Sequence, residues 1–122
     1  VFDIDENILF QENRIDTFFV DQINKDSIKS MWSNIKKTNF DLIIDDGLHT
    51  FNAAITLFEN SIEYLKDVGI YIVEDAQDKD LIKFKNYFDN NSSIYNYSII
   101  NLKKATNSKS NNNLIEIRKS FK

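Results

Sequence analysis

Phe40-Asp-Leu-Ile-Ile-Asp-Asp-Gly-Leu-His49, read with Ile70-Tyr-Ile-Val-Glu-Asp75, decides how this chain folds. Each segment is a short apolar run that ends in a pair of acids. Runs of this length bounded by polar residues read as strands buried on both faces. In open α/β sheets ligands gather at the carboxyl ends of the strands. Asp45 and Asp46, Glu74 and Asp75, and His49, the one histidine in the chain, therefore mark one end of a sheet as the candidate site.

Between these strands the pattern changes period. Thr50 is a cap for a long helix whose apolar stripe is Phe51, Ala54, Ile55, Phe58, Ile62 and Leu65. Gly69 suits the C-terminal turn of that helix. Upstream, residues 1–4 read as a short strand ending in acids, and residues 6–13 as a helical turn or two. The β-branched and aromatic run at residues 15–20 reads as a second strand. Ile28, Met31, Trp32 and Ile35 fall on one helical face, with Asp26 or Ser27 as its cap. Downstream, Leu81, Phe84 and Phe88 mark a further helix that begins near Asp78. Residues 94–102 and 114–118 alternate like strands, and the polar segment between them reads as the loop of an antiparallel hairpin. Its lysines, Lys103, Lys104 and Lys109, are expected to be solvated.

The order is β-α-β-α-β-α-β-α-β-β. It implies an α/β fold, a Rossmann-like and mostly parallel sheet with helices on both faces, closed by a C-terminal antiparallel hairpin. The 122 residues suffice for one domain, 1–122. Ten Phe, five Tyr and one Trp argue against disorder. A net charge of -4 speaks against a basic nucleic-acid face. No cysteine is present, which rules out a disulfide framework and thiolate chemistry and fits a cytoplasmic location. No apolar run approaches a membrane span, and no signal peptide is visible. The chain starts inside an apolar run, Val1-Phe-Asp-Ile-Asp5, and so reads as a fragment or a processed chain.

The acids carry the chemistry. Asp46, Glu74 and Asp75 stand at the ends of consecutive strands and can share a divalent cation. Mg²⁺ prefers hard oxygen ligands and keeps several waters, so two or three carboxylates suffice. His49 is then placed to take a proton from a hydroxyl. The plainer reading makes the acids solvated strand ends and His49 a residue at a helix start. Asp3 and Asp5 also admit two readings: an acid that accepts hydrogen bonds from a ribose, or the Asp-x-Asp of an aspartate-nucleophile phosphatase. Asp21 and Gln22 can meet an adenine edge or cap a loop.

These elements together resemble the class I S-adenosylmethionine-dependent methyltransferases. The residues concerned are Asp3-Ile-Asp5, Thr17-Phe-Phe-Val-Asp-Gln22, Asp45-Asp-Gly-Leu-His49 and Gly69-Ile-Tyr-Ile-Val-Glu-Asp75. The nearest look is to the metal-dependent sugar O-methyltransferases of the macrocin and mycinamicin type. The resemblance implies two cofactors, S-adenosylmethionine and Mg²⁺, and a small-molecule or glycan acceptor. Asp3, Asp21, Gln22 and Asp45 would face the cofactor. Asp46, Glu74 and Asp75 would hold the metal, and His49 would be the general base. The glycine-rich first strand of that family is absent, so the chain resembles the C-terminal part of such an enzyme. A non-catalytic truncated domain that works through a partner is the alternative, since an open sheet edge at residues 1–4 favours association, including homo-oligomers.

Overall fold

The structure, a computed structural model, describes residues 1–102 and 112–121. Strand β1 (Phe2–Asp3) pairs in parallel with β2 (Phe18–Phe19). Helix α1 (Lys25–Ile35) then leads to β3 (Phe40–Asp45). Helix α2 (Phe51–Glu59) connects β3 to the long strand β4 (Leu65–Ala76). Helix α3 (Leu81–Asn90) precedes the hairpin of β5 (Tyr95–Asn101) and β6 (Asn113–Lys119). The second sheet has the order β3-β4-β6-β5. Its β3–β4 ladder is parallel, while β4–β6 and β6–β5 are antiparallel. The α/β class, the parallel early strands and the C-terminal hairpin are those the sequence pattern implies. The last strand sits inside the sheet and leaves β5 at the edge. Lys103, Lys104 and Lys109 lie outside the described residues.

One hydrophobic core holds the elements together. On the sheet it takes alternate residues, Ile43, Tyr71, Val73, Ile115 and Ile117. Against them pack Ile28, Met31 and Trp32 of α1, Leu57 and Phe58 of α2, and Phe84 and Phe88 of α3. All three helices therefore cover one face of the sheet. Leu42, Ile44, Ile70, Ile72 and Leu114, which alternate with the core residues, stay partly or largely exposed. The sequence pattern implies helices on both faces; those of the described residues lie on one.

Local details also depart from the sequence pattern. The cap of α1 is Asn24, whose side chain accepts from the N–H groups of Asp26 and Ser27. Ser27 turns back instead and accepts from the N–H of Asp21 at 2.9 Å. Thr50 does cap α2, but that helix ends at Glu59 and is followed by a 3-10 turn, Ile62–Tyr64. Gly69 lies inside β4 and not at a helix end. A Cβ there would come within 2.7 Å of the Leu65 side chain and 3.1 Å of the Asp41 carbonyl oxygen. The glycine thus serves close strand packing next to the irregularity between Phe40 and Leu42. The expected second strand shrinks to Phe18–Phe19, and residues 6–13 hold only the 3-10 turn Glu6–Ile8.

Candidate metal and ligand site

Strand alternation sorts the two acids of each pair. At the end of β3, Asp45 points into the core and is buried, whereas the Asp46 side chain is 63% exposed. The chain then turns sharply, and His49 adopts a left-handed backbone conformation with φ 53°. At the end of β4, Asp75 does the same with φ 49°. Such conformations are strained for residues other than glycine and cluster at functional sites. Among the described residues the consequence is a single group of donors. One ligand atom from each of Asp46, His49 and Asp75 lies within 4.8 Å of the other two. His49 Nε2 is 3.9 Å from Asp46 Oδ1, and His49 Nδ1 is 3.4 Å from the Glu74 carbonyl oxygen. The carboxylate of Glu74 is not part of this group.

Gln22 fixes the turn that carries Asp46 and His49. Nearly buried, it donates from Nε2 to Asp45 Oδ1 at 2.7 Å and accepts from the Leu48 N–H at Oε1, 2.9 Å away. Asp45 Oδ1 also accepts from the Gly47 N–H at 3.2 Å. Burial raises the Asp45 pKa to about 6, against the opposing effect of the hydrogen bonds from Gln22 and Gly47. Asp45 Oδ2 and the hydroxyl of the fully buried Tyr71 have no hydrogen-bond partner among the described residues. The Tyr71 pKa is pushed up by burial and then by the Asp45 charge.

Gly47 is the tight point of this turn. A Cβ at that position would lie 2.0 Å from Gln22 Oε1 and 3.1 Å from Asp45 Oδ1. Gly47→Ala must therefore break the Gln22 bridge, and we expect a loss of about 2 kcal/mol of stability. Urea denaturation measures it. A loss under about 0.5 kcal/mol would show that Gln22 can move aside without cost.

The turn forms one end of a cavity of about 680 Å³ between the two sheets. Asp46, Gly47, Leu48 and Gln22 line that end, and Val1, Phe2, Asp3 and Ile4 line the β1 side. Of the residues expected to face a cofactor, Asp3 and Gln22 line the cavity, while Asp21 and Asp45 do not. Asp21 Oδ1 instead accepts from the Ile23 N–H within a local turn. Asp3 Oδ1 accepts from the Asp5 N–H, and Asp5 Oδ1 from the backbone and side-chain nitrogens of Asn7. Both acids are engaged in the turn after β1, an arrangement that does not favour the phosphatase reading. The sequence pattern gives no sign of Asp80. It is nearly buried, and it accepts from the Phe51 N–H at the start of α2 and pairs with Lys83 at 2.8 Å. Only a contact across 29 residues brings it there.

No protein-family model matches the chain, and no curated protein matches it. Solved structures do. The MycE methyltransferase from the mycinamycin biosynthetic pathway, in complex with Mg, SAH and mycinamycin VI, superposes with a TM-score of 0.66 at 19% identity. That match covers 98% of this chain and 35% of MycE. An rRNA methylase from Streptococcus thermophilus superposes with a TM-score of 0.60 at 11% identity, covering 98% of this chain and 72% of the methylase. The chain thus has the fold of these methyltransferases and spans about a third of the length of MycE.

Proposed function

We propose that this chain is part of an S-adenosylmethionine-dependent O-methyltransferase that works with a divalent cation on a sugar or natural-product hydroxyl. The observation that carries the reading is the convergence of Asp46, His49 and Asp75 at the carboxyl ends of two neighbouring parallel strands, beside a cavity bounded by Asp3. The donor set suits a hard cation, since Mg²⁺ needs few carboxylates and fills its shell with water. Asp46 and Asp75 would hold it, joined by Glu74 if its side chain turns toward them. When bound, the cation supplies positive charge to an acceptor oxygen. S-adenosylmethionine, when bound, supplies an electrophilic methyl group, with Asp3 and Gln22 on its side of the site.

In this reading His49 takes the proton of the acceptor hydroxyl, which ends as a methyl ether. The Glu74 carbonyl opposite Nδ1 favours the tautomer that carries its proton there and leaves Nε2 as the base. The fixed turn keeps that nitrogen aimed, and positioning of this kind contributes much of a methyl-transfer rate.

A second reading makes His49 a metal ligand, because its nitrogen is within reach of both Asp46 and Asp75 and imidazole suits several transition metals. One experiment separates them and tests the proposal as a whole. Mn²⁺ binding is followed by electron paramagnetic resonance, and methyl transfer from S-adenosylmethionine to a panel of glycosides by mass spectrometry. As base, His49→Ala lowers turnover about 100-fold or more and leaves Mn²⁺ affinity within about twofold. As ligand, it weakens Mn²⁺ about tenfold or more. Absence of Mn²⁺ binding by the unaltered protein would sink both readings.

A further inference from the structure

Gln22 holds the turn after β3, and with it Asp46 and His49. The third donor, Asp75, is held from the other side of β4. Val73 pairs with Ile115 and Ala76 with Asn113, so Glu74 and Asp75 of β4 together stand opposite Leu114 of β6. That mismatch is a β-bulge, and bulges re-aim side chains. Tyr71 and Val73 face the core, so unbroken alternation would send Asp75 there as well. The extra residue instead leaves Asp75 exposed and buries Ala76 in its place. The same bulge presents the Glu74 carbonyl to His49 Nδ1.

A bulge that contains a left-handed aspartate does not hold itself. The φ of 49° at Asp75 is strained for a residue with a Cβ, and it persists only where the surroundings fix the backbone on both sides. On one side the β4–β6 ladder runs regularly up to Val73. On the other a side chain of β6 supplies the contact. Asn113, at the start of β6, is fully buried. Its Nδ2 donates to the Ala76 carbonyl oxygen and to Asp78 Oδ1, each at 2.8 Å. Both partners are acceptors, so the amide nitrogen and not its oxygen must face them. Asn113 thus ties the residue after Asp75 to the 3-10 turn that follows, Asp78–Asp80. Serine has a single hydroxyl proton and alanine none, so neither can make both bonds, and aspartate would turn an oxygen toward two acceptors.

We propose that Asn113 is the positioning residue of Asp75: it locks the bulge in which Asp75 leaves the core face and comes within reach of Asp46 and His49. The proposal rests on the reading of Asp75 as a cation ligand and adds to it a part for β6. The test follows Mn²⁺ binding to the full protein by electron paramagnetic resonance in Asn113→Ala and Asn113→Ser, with Ser61→Ala as the control. Ser61 is likewise fully buried, and it accepts from Trp32 Nε1 at 2.9 Å outside the donor group. We expect Asn113→Ala to weaken Mn²⁺ binding about tenfold or more and Ser61→Ala to weaken it less than about twofold, although each removes buried hydrogen bonding. If the alanine variant does not fold, the serine variant decides, with an expected loss of about threefold or more. In an Asp75→Asn background the Asn113→Ala change should cost less than about twofold, because the ligand it positions is already lost. Without metal, the backbone chemical shifts of Asp75 should move in Asn113→Ala and stay in Ser61→Ala. Equal losses of affinity in Asn113→Ala and Ser61→Ala would overturn the proposal. So would an equal loss from Asn113→Ala with and without the Asp75 carboxylate, or unmoved Asp75 shifts. Mn²⁺ binding that Asn113→Ala leaves intact sinks the role of Asn113 alone, whereas an unaltered protein that binds no Mn²⁺ sinks the ligand reading and this role with it.

Discussion

Asp45→Asn should stabilise the protein by about 3 kcal/mol at pH 7.5, with EDTA present to remove any bound cation. The carboxyl group titrates at about 6 in the folded chain against an ordinary value of 3.8, and each pH unit of difference corresponds to about 1.4 kcal/mol. The sign follows from proton binding. Between pH 3.8 and about 6 the folded state holds the proton that the unfolded state has already released. Stability therefore falls as the pH rises through that window, and the cost is complete above it. Asparagine keeps an oxygen for Gln22 and Gly47 and places an uncharged NH₂ where Oδ2 now lies without a partner among the described residues. Other acids contribute their own dependence, among them Asp80, whose pKa is lowered chiefly by its bond from Lys83. The difference between the two proteins isolates position 45. Urea denaturation at pH 7.5 and 4.5 should give a large difference at the first and a small one at the second. A variant less stable than its parent at pH 7.5 would mean that the anion is the form the fold requires.

Phe58→Ala should cost about 3–5 kcal/mol, a large part of the stability of a domain of this size. Phe58 is fully buried at the centre of the core. It meets Tyr71, Phe88 and Tyr95 nearly edge-on, with ring centroids 5.2, 5.4 and 5.1 Å away. Alanine removes those contacts from α2, α3 and the sheet at once, and rigid aromatic neighbours fill the space poorly. Phe58→Leu should cost less, about 1.5 kcal/mol, because more of the volume remains. Circular dichroism during urea denaturation checks both. A loss under about 1.5 kcal/mol for alanine would show that the helices can collapse onto the sheet without this ring.

What the sequence determined by itself is local. Helical spacing marked the core faces of α1 and α3, and Thr50 announced the start of α2, because a cap and an apolar stripe are properties of neighbouring residues. Apolar runs ending in acids placed Asp46, His49 and Asp75 at one end of a sheet for the same reason. The tertiary structure decided what depends on distant partners. Whether Asp45 or Asp46 faces solvent follows from the register of β3 against β4 and from the bridge that Gln22 makes across 23 residues. Asp75, and not the Glu74 carboxylate, joins His49 because β4 breaks register between Val73 and Ala76 and Asp75 turns left-handed there. The apolar stripe after Thr50 runs past the end of α2 because a 3-10 turn and a strand that follow bury the same face. The gap between β1 and β3 and the single covered face of the sheet arise from which strands pair and which way the crossovers pass. No local pattern contains that information, since pairing joins residues far apart in the chain.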